Sequence, residues 1–363
     1  AVTRAFEAEF AGYVGARHAV ALNSCTAALH LALEACGLQR GELVLVPTLT
    51  FAATAEVVRY FDAIPVFVDC DPLTRCIDVA AARRTLERLA AGLPVPGVAT
   101  SGARVRAIVP MHYGGQMADV HACAALAAEF GLVMIEDAAH TLPAYIRANA
   151  AAPWQSVGKT ATITCFSFYA NKCLTTGEGG MTVTDDAALA ERMRLMSLHG
   201  MSKDAWQRYT SAGSWYYEVV APGFKYNLTD IASALGRVQL SRAEELWTAR
   251  KSLAARYRAA RGGIPVREVP TELPDRRQSW HLFSLALDLG VWKLGRNAFI
   301  ERLKARGIAS SVHWLPLHMQ PYYRDTYRLA PEDFPTAAAL WPKLVSLPLF
   351  PGMTEDEVAT VTG

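Results

Sequence analysis

The chain has 363 residues, 52% of them hydrophobic, with 36 basic and 34 acidic side chains and a formal net charge of +2. That length and apolar content suffice for one large domain with a smaller companion. The charges are interspersed, giving no basic stripe for nucleic acid, and the longest relevant uncharged stretch, 160 to 171, falls short of the ~20 residues of a membrane span.

The first residues, AVTRAFEAEF, lack the basic-then-apolar pattern of a secretory leader. Seven cysteines (Cys25, Cys36, Cys70, Cys76, Cys123, Cys165 and Cys173) form no C-x-x-C pair and sit mostly in apolar runs. The expectation is a cytoplasmic protein with reduced, buried thiols.

Along the chain, ALNSCTAALHLALEACG (21 to 37) predicts a helix with Ser24 as N-cap and Gly37 as C-cap. Its N-terminus is a natural phosphate cradle, in which the N–H groups of Thr26 and Ala27 and the hydroxyls of Ser24, Thr26 and the distant Ser167 can bind an anion. An ordinary capped helix accounts for the same pattern. The runs LVLVP (43 to 47), IPVFVD (64 to 69), VRAIVP (105 to 110) and LVMIED (132 to 137) alternate with amphipathic stretches at 80 to 91 and 119 to 130. This alternation predicts a parallel sheet covered by helices, whose ligands collect at the carboxyl ends of the strands.

Candidate site residues follow from that frame. Phe51, just after LVLVP, suits either stacking on an aromatic ligand or the core. Asp137 ends LVMIED at the ligand edge, where a carboxylate can keep a pyridine nitrogen protonated or simply cap the next turn. His140, three residues on, shares its face on a helical turn. EDAAH lacks a second ligand pair with zinc spacing, so no metal site is expected. Lysine is scarce, with eight in the chain and none before position 159. Lys172 stands in TATITCFSFYANKCLTTGEGGMTV, an apolar run ending in a glycine-rich turn. A lysine desolvated there loses its proton readily and can form a Schiff base, whereas the bland alternative is a snorkelling loop lysine. Gly177, Gly179 and Gly180 suggest close approach of backbone to a ligand. No G-x-G-x-x-G or P-loop pattern occurs, which disfavours dinucleotide and P-loop readings.

Further on, a helix capped near Thr229 is expected to run to about Leu246, followed by an Arg-rich helix to Arg261. A strand at 280 to 288, a helix at 295 to 306, a strand at 308 to 314 and a last helix from about Thr354 complete a smaller α/β unit. The expected division is residues 1 to 240 and 241 to 363. His313 and His318, in SVHWLPLH, are candidates for substrate contact, with structural histidines as the alternative.

Taken together, NSCTAALHLAL (23 to 33), VPTLTFAAT (46 to 54), VPMHYGG (109 to 115), IEDAAH (135 to 140), FSFYANKCLTTGEGGMTVT (166 to 184), SLHG (197 to 200), GFKYNLTDIASALGRVQL (223 to 240), WHLF (280 to 283) and SLPLFPGMT (346 to 354) resemble the DegT/DnrJ/EryC1/StrS sugar aminotransferases over nearly the whole chain. The similarity is greatest to enzymes that aminate carbon 4 of UDP-linked keto-sugars, such as the 4-amino-4-deoxy-L-arabinose branch. The resemblance implies the pyridoxal 5'-phosphate (PLP) fold type I, an α/β architecture with a large, mostly parallel sheet and a smaller C-terminal domain. It implies that Lys172 holds PLP and Asp137 pairs with the ring nitrogen. His140 would lie near the ring hydroxyl, Ser167, Thr26 and Ala27 would hold the phosphate, and Phe51 would stack on the ring. Asn227 would reach the phosphate in a neighbouring subunit, which makes a homodimer the functional unit. L-glutamate is the implied donor and a nucleotide-linked keto-sugar the acceptor. The alternatives are an aminotransferase acting on a cyclitol or another keto-sugar, and a non-catalytic PLP-binding paralogue. Two departures stand out: Cys25 occupies a position where the family often has glycine, and the segment 145 to 159 is longer than the usual connection.

Overall fold

The computed structural model of the chain describes residues 1–98, 102–201, 217–260, 266–268 and 270–362. Its main sheet contains β1 (His18–Leu22), β2 (Leu43–Pro47), β3 (Ile64–Val68), β4 (Val105–Ile108), β5 (Val133–Asp137), β8 (Ile163–Ser167) and β9 (Gly180–Thr184), in the order β1-β9-β8-β5-β4-β2-β3. Only β9 runs against the others. The four runs expected as strands are β2 to β5. Their near-continuous apolar character follows from burial on both faces, the usual state of a helix-covered parallel sheet. The covering helices are α1 (Val2–Val14), α2 (Cys25–Ala35), α3 (Ala53–Arg59), α4 (Val79–Ala90), α5 (Val120–Phe130) and α6 (Ala187–Met196). Asp78, Asp119 and Asp186 cap α4, α5 and α6 through side-chain bonds to first-turn amides.

Helix α1 anchors the strand that precedes Lys172. Phe6 and Phe10 are fully buried, and the Phe10 ring lies 5.0 Å from Phe166 and 5.5 Å from Phe168. Helix α7 (Asp230–Ser241), capped by Thr229, crosses α1 at Gly236, where even a Cβ would come within 2.5 Å of the Phe6 ring. The helix expected to reach Leu246 instead ends at Ser241, and α8 (Ala243–Ala259) starts afresh after Arg242. Arg242 leaves helical geometry and pairs with Glu245 across the new first turn.

A second, antiparallel sheet has the order β10-β12-β13, from β10 (Val266–Glu268), β12 (Phe283–Leu287) and β13 (Leu344–Leu347), with α9 (Gly295–Ala305) beside it. The strand expected at 308 to 314 is absent as such. Only Ser311 bridges, to Ser346, because the chain then turns away to the main sheet, where the Tyr113 hydroxyl donates to the His313 carbonyl at 2.6 Å. The long connection 145 to 159 also has a structure of its own: β6 (Tyr145–Ile146) pairs with both β7 (Gln155–Ser156) and β11 (Arg276–Arg277), in the order β11-β6-β7. Trp154 there takes the Arg147 and Arg277 guanidinium groups on its ring at 4.6 and 4.3 Å. All seven cysteines are free, six of them buried, and no helix among the described residues is long and apolar enough to cross a membrane.

Candidate active site

A cavity of about 350 Å³ opens at the carboxyl edge of the main sheet. Its walls come from the N-terminus of α2, the turns after β2, β5 and β8, the start of β9, and two segments of the second sheet's region. Lys172, Asp137, His140, Ser167, Thr26, Phe51 and His313 all line it. These residues lie as far as 287 positions apart in sequence, from Thr26 to His313, and the fold brings them to one place.

Asp137, the last residue of β5, is 3% exposed. Its Oδ2 accepts the Thr54 hydroxyl at 2.7 Å and its Oδ1 accepts the Ala139 N–H at 3.1 Å. Burial pushes this carboxyl above the usual range, and the two hydrogen bonds, Lys172 and His112 oppose that shift. The Ala139 bond serves the turn-capping alternative, and Asp137 also lines the cavity. Lys172 follows β8 in a turn closed by its N–H on the Tyr169 carbonyl. Burial lowers its pKa below the ordinary lysine range, against the opposing pull of Cys25 and Asp137. An amine so placed reaches its neutral, nucleophilic form at less cost than a surface lysine.

The N-terminus of α2 differs in one detail from expectation. Ser24 caps α2, its Oγ accepting from the Ala27 N–H at 3.1 Å. The Ala27 amide is thus engaged by the cap, Ala27 is buried outside the cavity lining, and Ser24, Cys25 and Thr26 face the space. Gly37 lies one residue past the C-cap, Cys36, in the left-handed region (φ 71°). Gly180 approaches protein rather than ligand: a Cβ on it would lie 2.4 Å from the Ser24 carbonyl. Gly180 therefore lets β9 press against the end of α2, while Gly179 lines the cavity.

Phe51 is 56% exposed, which sets aside the core reading, and its ring lies 6.2 Å from Trp314 across the cavity mouth. His140 accepts the Gly114 N–H on Nδ1 at 3.2 Å and packs 4.2 Å from His281 and 5.0 Å from Trp314. His281 and Trp314 also line the cavity but were not singled out in the sequence. Their signals were slight, since His281 stands in WHLF and Trp314 merely follows His313. Burial lowers the pKa of His140 and His281 well below the ordinary histidine range and that of His313 to about 4, so these imidazoles are neutral near pH 7.

Two candidates lie elsewhere. His318 is fully buried outside the cavity, bonded through Nδ1 to the Thr48 hydroxyl at 2.7 Å and packed 4.7 Å from Phe334. Its environment is that of a structural histidine. Asn227 does not line its own chain's cavity. It bridges Leu22 beside β1, and its Oδ1 accepts from Lys225 at 2.6 Å.

The parts suit PLP: a lysine amine, a buried carboxylate at the strand edge, an exposed ring face, and a helix N-terminus for the phosphate. Fold and site together define a PLP-dependent enzyme of fold type I. The chain belongs to the DegT/DnrJ/EryC1/StrS aminotransferase family, which it matches over residues 1–363. It is 43% identical to the spore coat polysaccharide biosynthesis protein SpsC of Bacillus subtilis, covering 98% of this chain and 86% of that one. Among solved structures it is similar to DesV of S. venezuelae (30% identity, 100% of this chain and 87% of that one, TM-score 0.84). It is likewise similar to Helicobacter pylori PseC, an aminotransferase involved in the biosynthesis of pseudoaminic acid (27% identity, 100% and 89% covered, TM-score 0.85). The enzyme is a PLP-dependent sugar aminotransferase.

Proposed function

We propose that the enzyme moves the amino group of L-glutamate onto a nucleotide-linked keto-sugar, UDP-4-keto-sugars being the first to try, yielding an amino-sugar nucleotide and 2-oxoglutarate. One observation carries the nucleotide: a groove of about 590 Å³ adjoins the cavity, sharing Phe51 and Trp314 with it, and offers the rings of Tyr60 and Tyr322 together with Arg59 and Gln320. That volume and aromatic lining suit a nucleoside, so a sugar joined to it would project past Phe51 and Trp314 toward Lys172. The polysaccharide and pseudoaminic acid roles of SpsC and PseC support a sugar acceptor.

In this reading PLP supplies, when bound, an electrophilic aldehyde and a ring that accepts electrons. Lys172 holds it and moves the proton at the carbon that gains or loses nitrogen. Asp137 keeps the ring nitrogen protonated, and Thr26, Ser167 and the α2 terminus hold the phosphate. Phe51 would cover the ring, His140 would lie near its hydroxyl, and His313 would contact substrate. Residues 1 to 240 form the cofactor domain and 241 to 363 the smaller one. Two subunits share each site: Asn227 immediately precedes α7, on which Ile231, Leu235 and Val238 form an apolar stripe that is 81%, 53% and 61% exposed. A stripe of that spacing suits burial against a second copy.

The test is the absorption spectrum of the purified enzyme. L-glutamate should bleach the yellow cofactor band, and a keto-sugar nucleotide from a panel of UDP, dTDP and GDP derivatives should restore it. Restoration by a free cyclitol ketone alone would replace the nucleotide reading. Failure to bleach with glutamate would remove the donor assignment.

A further inference from the structure

Thr50 precedes Phe51 in the turn after β2, Thr54 lies in the first turn of α3, and both are fully buried. Their hydroxyls lie 2.7 Å apart, and Thr54 Oγ1 lies 2.7 Å from Asp137 Oδ2. An ionised carboxylate only accepts, so the single Thr54 proton points to Asp137. The Thr54 oxygen is then left to accept, and the proton between the two threonines comes from Thr50. Each position in this chain therefore has one polarity, Thr50 to Thr54 to Asp137.

We infer that Thr54, oriented by Thr50, is a positioning residue that fixes the Asp137 carboxylate toward the cofactor ring and keeps the shared proton on the ring nitrogen. The inference rests on the pairing of Asp137 with that nitrogen.

The chemistry turns on which of two bases holds one proton. A buried carboxylate becomes a stronger base as it loses hydrogen bonds, and Asp137, 3% exposed, has little compensation from water. Without the Thr54 donor the proton moves toward Asp137, and the ring loses both its charge and its anchoring ion pair. The other charged or titratable groups around Asp137 are Lys172, His112, Cys25 and Cys165. None of these donates a hydrogen bond to Oδ2 among the described contacts, so none replaces Thr54 there.

The experiment compares cofactor affinity of the full-length protein, freed of cofactor and titrated with PLP or with its 1-deaza analogue, which carries a C–H in place of the ring nitrogen. Thr54→Val is nearly isosteric and removes the donor, while Thr54→Ser restores it. Thr54→Val should weaken PLP roughly 10- to 100-fold, the worth of one hydrogen bond to a charged group. It should change deaza-PLP by less than about threefold, and Thr54→Ser should stay within about threefold of the parent for both. Thr50→Val should show the same selectivity with a smaller loss, and it carries the test if Thr54→Val does not fold. Equal weakening of both ligands, or of neither, would overturn the inference. Asp137→Asn separates the two levels: if it too is unselective, the pairing of Asp137 with the ring nitrogen fails, whereas selectivity there without selectivity at Thr54 overturns the threonine chain alone.

Discussion

Replacing Gly180 by alanine tests the idea that β9 sets the position of the phosphate cradle. The added Cβ would lie 2.4 Å from the carbonyl carbon and oxygen of Ser24 and 2.7 Å from the Cys25 nitrogen. Comfortable contact begins near ~3.5 Å, so the two backbones must part by about 1 Å. No rotamer relieves the clash, because every neighbour is main chain. Overpacking of this kind costs about 1–3 kcal/mol, or a fall in Tm of roughly 2–12 °C at ~2–4 °C per kcal/mol. The larger effect falls on function, since a displacement of ~1 Å in a binding group can cost on the order of 100-fold. Calorimetry and PLP titration measure both. Gly177→Ala is the comparison: nothing lies within 4 Å of its Cβ, but its φ of 80° still strains an alanine, so it should lose about 1 kcal/mol of stability and little PLP affinity. A Gly180→Ala protein with parental Tm and PLP affinity would refute the reasoning.

On the exposed face of α7, Ile231→Asp should yield a monomer with a parental far-UV spectrum and little activity, measured by light scattering and turnover; a fully active dimer would remove this helix from the interface. His313→Gln should lower activity with little change in Tm. His318→Gln should do the reverse, losing roughly 1–3 kcal/mol of stability with its Thr48 bond while kcat holds. His30 sits among Tyr60, Phe61, Phe224 and Tyr226 with burial lowering its pKa to about 4, so the unfolded chain binds its proton first and stability falls as pH drops from about 6.5 toward about 4. A melting series across that range should therefore be less steep for His30→Phe than for the parent.

Legibility in the sequence followed the range of the forces involved. Strands β2 to β5 were readable because burial on both faces demands uninterrupted apolar runs, and the helix caps because Ser24 and Thr229 act on amides three residues away. The pairings of β6 with β11 and of Ser311 with Ser346 were not, since register between distant segments leaves no local periodicity. Lys172 and Asp137 declared themselves through chemistry that is costly to bury, which is why one lysine in a lysine-poor chain and one carboxylate at a strand end drew notice.

The same distinction explains the residues that were overlooked. His281 enters from the segment before β12 and Trp314 from the segment just after Ser311, which bridges to β13, so their approach to Lys172 is a product of how the second sheet docks on the first. Histidine and tryptophan are also ordinary in a core, and nothing in WHLF or SVHWLPLH distinguishes a cavity wall from packing. The glycine spacing announces a close approach but not its partner: Gly179 lines the cavity, whereas at Gly180 the partner is the Ser24 backbone. That contact couples the turn bearing Lys172 to the helix end that would hold the phosphate. The position of the α2 terminus thus depends on a backbone contact between β9 and α2.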